Sequence, residues 1–388
     1  MTSVAPQPAP EPVVNPSPAP PIWTAPPKAR GGGLLFAVIG IVIAGLVGLL
    51  VLAYLAVGLG VPTLLIGSLL ALVPLALVLA AVRWVDRWEP EPRWALWFAF
   101  LWGAAVSVAV ALIVDLGVQL ALAFAASGQP DEAMQAVVQA PIVEELAKGI
   151  GVLLIFAFRR SHFDGPVDGL VYGATVAAGF AFTENILYFG AALAEGGAAV
   201  LGTTFVVRGL FSPFAHVLFT ACTGLALGIG ARRGGGVGVI GWFLLGLVPA
   251  VLLHGFWNGS LAFASDAIGL YFTVQVPIFI GFVLITWFLR REEMRVTRVR
   301  LAEYGAAGWF SPAEVEMLAT PAGRRQAVAW ARSQTPARTA AMRTMITDAT
   351  HLAFTRHRLV TGRGGSRAAA DEQALLRAVT ADRAALLR

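Results

Sequence analysis

Residues 34–82 read LLFAVIGIVIAGLVGLLVLAYLAVGLGVPTLLIGSLLALVPLALVLAAV and contain no Asp, Glu, Lys or Arg. A helix needs about 20 apolar residues to cross a bilayer. The stretch therefore holds two spans, at roughly 34–59 and 62–82, joined by a tight turn. Six more apolar stretches follow, at roughly 94–124, 137–158, 169–193, 210–231, 237–263 and 269–289. The prediction is an all-α fold, a polytopic membrane bundle of about eight transmembrane helices. The fourth span is unusual because it contains Glu144, Glu145 and Lys148.

Composition points the same way. Of the 388 residues 57% are hydrophobic and only 13% charged, and the mean hydropathy is +0.73. A soluble domain carries about 25% charged residues. Too little charge remains to cover a water-facing surface, which excludes an ordinary cytosolic enzyme. A single cysteine, Cys222, excludes a disulfide framework, a thiolate-held iron–sulfur cluster and a Cys-based zinc site.

Both ends differ from the middle. Residues 1–33 hold ten of the 23 prolines and predict a disordered, PPII-like lead that is not a cleaved signal peptide. Residues 290–388 hold 17 Arg against 9 acidic residues and predict a basic helical tail. Ser311-Pro312-Ala313-Glu314 carries the signature of a helix-starting capping box. The sequence pI near 9.9 comes from that tail. A basic tail beside a membrane faces lipid rather than nucleic acid, so no nucleic-acid partner is expected. The organisation is a lead at 1–33, a membrane domain at 34–289 and a tail at 290–388. The tail reads as a solvated helical appendage.

Charge asymmetry sets the orientation. With the N-terminus in the cytoplasm, 26 of the 28 basic residues fall on the inner side. The other two are Lys148, inside a span, and Arg208, on the outer side. Both termini are then cytoplasmic.

A charge at the bilayer centre costs about 2.5–3.5 kcal/mol, so intramembrane charges are functional candidates. Asp115, Glu144, Glu145, Lys148 and Glu184 lie within spans, as do His216, His254 and Asn258. With this topology Glu144, Glu145, Glu184, His216 and His254 all fall about 9–14 Å below the outer boundary, at 1.5 Å per residue. Four helices thus bring acids and imidazoles to one level. Glu144 and Lys148 are four apart and share a helix face, as do His254 and Asn258, and Phe180 and Glu184. Asp115 falls outside these pairs and reads as structural. Asp164 and Asp168, in an inner loop, read as solvated. Arg208 reads as an interfacial anchor.

Pro141-Ile142-Val143-Glu144-Glu145-Leu146-Ala147-Lys148 contains E-E-x-x-K, and Phe180-Ala181-Phe182-Thr183-Glu184 contains F-x-x-x-E. His216 opens a later span, and His254-Gly255-Phe256-Trp257-Asn258 contains H-x-x-x-N. In order and spacing these motifs resemble the PrsW family of intramembrane proteases. That family is related to the CAAX-processing and bacteriocin-processing endopeptidases. The resemblance covers about residues 34–290. It implies a membrane-embedded endopeptidase of the bacterial cell membrane, acting at the extracytoplasmic side on single-pass membrane proteins such as anti-sigma factors. It further implies that Glu144 or Glu145 is the general base, assisted by His216. His254 and Asn258 would stabilise the oxyanion. Glu184 would orient the base or join a metal site, with Lys148 and Phe180 in support.

The chemistry is coherent without the name. Peptide hydrolysis needs a base for water and donors for the developing oxyanion. His216, His254 and Glu184 are also candidate zinc ligands. There is no H-E-x-x-H motif, and a carboxylate mechanism requires no ion, so the metal stays open at this point. Two other function classes compete: a proton- or ion-coupled transporter, which also uses intramembrane carboxylates, and a non-catalytic scaffold whose tail recruits partners.

Overall fold

A computed structural model describes residues 32–125, 131–159, 163–233, 238–363 and 367–387. The predicted lead lies, but for its last two residues, outside the described residues. Everything described is helical or short connection, with no strand among the described residues.

Eight helices, α1 to α8, make the bundle. They are α1 (Gly32–Leu59), α2 (Val61–Val85), α3 (Arg93–Phe124), α4 (132–158), α5 (Pro166–Phe205), α6 (Ala215–Arg233), α7 (Gly238–Phe263) and α8 (Ala267–Ala306). Each of the eight predicted spans falls on one of them. Among the described residues six helical runs, one of them bent at Gly197 and turned at 212–214, are long and apolar enough to cross a membrane by themselves. Two facts reconcile six with eight. The 68-residue run Pro166–Arg233 contains both α5 and α6, folded side by side. The membrane part of α4, Ala140–Phe158, carries the three charges Glu144, Glu145 and Lys148 within 19 residues.

The α1–α2 turn is as tight as predicted. Gly60 alone separates the helices, at φ 79, a left-handed conformation that a Cβ would disfavour. Large apolar side chains such as Leu49, Leu50, Leu69 and Leu252 point outward, as bilayer contact requires. Inside, small residues let backbones approach closely. A Cβ on Gly169 of α5 would lie 1.9 Å from the Gly224 carbonyl oxygen of α6. Polar links tie neighbouring helices: Trp102 Nε1 donates to Ala147 O at 2.9 Å, and Thr183 Oγ1 to Ala104 O at 2.8 Å.

The tail contains α9 (Pro312–Ala319), α10 (Pro321–Gln334), α11 (Pro336–Val360) and α12 (Ala368–Leu387). The predicted capping box at Ser311 and Glu314 is present. These helices and the end of α8 share a core of their own, with Leu301, Leu318, Ala331, Met345 and Leu352 fully buried.

The tail departs from a solvated appendage because its polar groups find partners on the bundle. Arg324 Nη1 donates to Trp88 O at 3.0 Å, and Trp88 Nε1 donates to Thr297 Oγ1 at 3.0 Å. Arg358 pairs with Asp164. Asp164 and Asp168 are accordingly buried, contrary to the reading of that loop as solvated. Carboxylate oxygens of Glu89, Asp168 and Glu293 lie within 4.8 Å of one another at the same joint. Burial and the neighbouring acids push the Glu89 carboxyl well above its usual range.

Gly169→Ala should lower thermal stability by about 1–3 kcal/mol, the usual cost of overpacking. Gly45→Ala should leave it unchanged, because nothing lies within 4 Å of a Cβ there. Thermal unfolding of the purified protein in detergent checks both.

Candidate active site

Four bundle helices supply the site. On α4 the helical spacing turns Glu144, Glu145 and Lys148 toward the bundle interior, and all three are buried. Lys148 Nζ donates to Glu144 Oε2 at 3.1 Å and to Glu145 Oε1 at 2.8 Å. It also lies 3.1 Å from His216 Nδ1 of α6, and 3.7 Å from the centre of the Phe180 ring of α5. An ammonium group only donates, so His216 Nδ1 accepts there. The other nitrogen, Nε2, then carries the proton and donates to Glu184 Oε2 at 2.9 Å.

His254 of α7 is fixed in the opposite tautomer. Its Nδ1 donates to Glu145 Oε1 at 3.0 Å. Its Nε2 lone pair faces Glu144 Oε2 across 3.9 Å. That gap is too wide for a direct hydrogen bond and suits one bridging atom. The two imidazoles stand perpendicular with centroids 5.0 Å apart, and Phe219 stacks on His254 at 4.8 Å.

The two adjacent glutamates differ. Glu145 is fully buried, and its Oε2 accepts from Thr220 Oγ1 at 2.8 Å, so both its oxygens are engaged. Glu144 is 8% exposed and lines a cavity of about 320 Å³ together with Phe180, Thr183, Glu184, Asp115 and Tyr188. Glu184 pairs with Arg208, whose Nε donates to Asn185 Oδ1 at 3.0 Å and whose guanidinium covers the Tyr188 ring at 3.8 Å.

Seven of the sequence-derived residues thus converge: Glu144, Glu145, Lys148, Phe180, Glu184, His216 and His254. Asn258 does not join them. Its Nδ2 donates to Ala136 O at 2.8 Å, tying α7 to the start of α4. Asp115 accepts from Gln119 at 2.8 Å and Gln135 at 3.2 Å, and it stands on the cavity wall. The sequence reading missed Thr220; Arg208, read as an interfacial anchor, pairs with Glu184. Thr220 is one turn beyond His216, on the same face. Arg208 was the lone basic residue on the outer side of the charge count, a signal that it answers a buried acid.

The buried charges do not cancel. Glu144, Glu145 and Glu184 face Lys148 and Arg208, leaving one negative charge when both imidazoles are neutral. An unpaired charge in a low-dielectric site is costly, so one further proton or cation belongs in the cluster. Glu144, His216 and His254 each offer one donor atom, all within 4.8 Å of one another. In type this N, N, O set suits zinc. The carboxylates on the far nitrogens, Glu184 on His216 and Glu145 on His254, are the partners that metal-binding imidazoles take. Lys148 already offers positive charge to two of the same donors, so ammonium and metal compete there. Glu184 contributes from behind His216.

A family model, the PrsW family intramembrane metalloprotease, matches residues 91–282. That range contains all the site residues above. Through it, the chain belongs to the PrsW family. Among curated relatives, Protease PrsW of Bacillus subtilis is 32% identical over 152 residues, 39% of this chain and 62% of that protein. Protease PrsW of Geobacillus kaustophilus is 34% identical over 144 residues, 37% of this chain and 57% of that protein. The chain thus spans less than two thirds of the length of these two. Protease PrsW of Clostridioides difficile is 25% identical over 226 residues, 58% of this chain and 89% of that protein. No solved structure matches. In this PrsW-family chain, α9 to α12 lie outside the matched range.

Arg208→Met should destabilise the protein by about 3–5 kcal/mol, the cost of leaving a buried partner charge alone. Arg208→Met combined with Glu184→Gln should recover most of that loss. Thermal unfolding of the four-membered cycle measures the coupling.

Proposed function

We propose that this chain is an intramembrane endopeptidase that hydrolyses peptide bonds of membrane-anchored protein substrates. One observation carries the reading. Glu144 Oε2, on the wall of a cavity, and His254 Nε2, buried beside it, are two acceptors 3.9 Å apart, a gap that one water can bridge. A water placed there donates one hydrogen to each acceptor and presents its lone pair outward, toward a scissile carbonyl. Glu144 is the general base, because it alone of the glutamate pair opens on the cavity. Glu145 is a positioning residue that holds His254 in the required tautomer, with Thr220 holding Glu145. The proton taken from water passes to the leaving amine, as acid–base catalysis requires.

Lys148 and Arg208 lower the energy of negative charge formed nearby. A zinc ion held by Glu144, His216 and His254 would polarise the carbonyl and acidify bound water. The positive-inside count supports a site in the outer half of the bilayer, with both termini cytoplasmic. A single-pass substrate such as an anti-sigma factor fits that position.

Membranes carrying wild type, Glu144→Gln or Thr220→Val are compared by proteomics for truncated fragments of single-pass proteins. Loss of a base costs about 10²–10⁴-fold in rate, so Glu144→Gln should abolish the fragments. Thr220→Val should slow their appearance about tenfold, a rough value for one lost hydrogen bond to a charged group. Undiminished fragments with Glu144→Gln at equal protein levels would sink the mechanism.

A further inference from the structure

A cavity of about 720 Å³ opens where α2 and α8 of the bundle meet α10 and α11 of the tail. Six arginines line it: Arg87, Arg290, Arg324, Arg325, Arg332 and Arg343. No Asp or Glu is among its described lining residues. Arg324 is already engaged. It donates to Leu318 O at 2.7 Å, Trp88 O at 3.0 Å and Thr350 Oγ1 at 2.6 Å, and it lies on the Trp88 ring at 3.4 Å.

The other five have no hydrogen-bond or ion-pair partner among the described residues. Arg290 stacks on Trp84 at 3.9 Å, and its Nε is buried without an acceptor. Glu293 acts electrostatically on Arg290, and Glu89 and Glu293 act on Arg324. These acids leave the four outer guanidiniums unanswered.

The level of the cavity is set by aromatic residues. Trp84 and Trp287 are both exposed, and Arg291 covers Trp287 at 3.6 Å. Tryptophans with neighbouring arginines mark the headgroup layer of a bilayer. Like charges gathered round one hollow repel each other, and a multivalent anion relieves that repulsion. Guanidinium groups bind phosphate bidentately and remain charged at any working pH.

We propose that this cavity binds the phosphate of an anionic phospholipid headgroup. Arg87 reaches it from the turn after α2, Arg290 from α8, and Arg325, Arg332 and Arg343 from the tail. A headgroup held there bridges the two and seats the tail on the bilayer. An anionic leaflet concentrates the ligand at this face, and each arginine near such a surface is worth roughly a factor of five in binding.

The test is native mass spectrometry of the purified full chain titrated with cardiolipin or with phosphatidylcholine. Cardiolipin should bind at least tenfold more tightly. The triple variant Arg325→Gln, Arg332→Gln, Arg343→Gln should weaken cardiolipin ten- to a hundredfold and leave phosphatidylcholine unchanged. These three side chains are exposed, so the thermal midpoint should not move. If it does, Arg87→Gln with Arg290→Gln gives the same readout from the membrane side. Equal affinity for the two lipids, or cardiolipin binding indifferent to both variants, overturns the proposal. Displacement of cardiolipin by 10 mM inorganic phosphate would assign the cavity to a free anion and overturn the lipid assignment.

Discussion

An ammonium group with no exposure to solvent sits among two carboxylates, an imidazole and an aromatic ring. Lys148 is 0% exposed, yet every donor on Nζ has a partner. In a low-dielectric interior such an arrangement holds only if each group stays in place, because removing one partner leaves a charge alone. The partners come from α4, α5 and α6, and α7 joins through His254 and Glu145. The electrostatics of one residue therefore fix the rotation and depth of four helices. The glycine contact between Gly169 and Gly224 makes this possible, since the backbones of α5 and α6 must approach closely for Thr220 and His216 to reach α4.

The same constraint separates the roles of the adjacent glutamates. Successive residues on a helix point about 100° apart. One of the pair is driven into the packed interior, where Thr220, Lys148 and His254 satisfy it. The other meets the cavity and keeps an open side. Helix geometry, not residue type, thus gives the two glutamates different surroundings. The imidazoles follow suit: a carboxylate on one nitrogen of each ring decides which nitrogen is left to face Glu144 or Lys148.

At the other end of the bundle, the tail is attached by polar contacts. Arg358 meets Asp164, Arg324 meets the Trp88 carbonyl, and Trp88 meets Thr297. α8 runs without interruption from the bundle into the tail core, so the two share a structural element. The buried acids at this joint would repel one another if all were ionised, and burial together with these neighbours pushes the Glu89 carboxyl upward.

Hydropathy, together with the distribution of basic residues, determined the approximate spans and the all-α architecture, because each span must satisfy its own backbone within the bilayer. Equal depth placed Glu144, Glu145, Glu184, His216 and His254 on one level, because rise per residue is constant along a helix, and motif spacing added Lys148 and Phe180 one turn away. The tertiary structure decided what lies around each helix, which rise per residue does not encode. It paired Arg208 with Glu184, placed Thr220 beneath Glu145 and turned Asn258 to Ala136. It also buried Asp164 and Asp168, which look solvated in a loop: Arg358, almost 200 residues away in the chain, pairs with Asp164, and the Asp164 backbone N–H donates to Asp168. Helix rotation and long-range docking set those contacts, and both depend on side-chain packing between segments that no local pattern records.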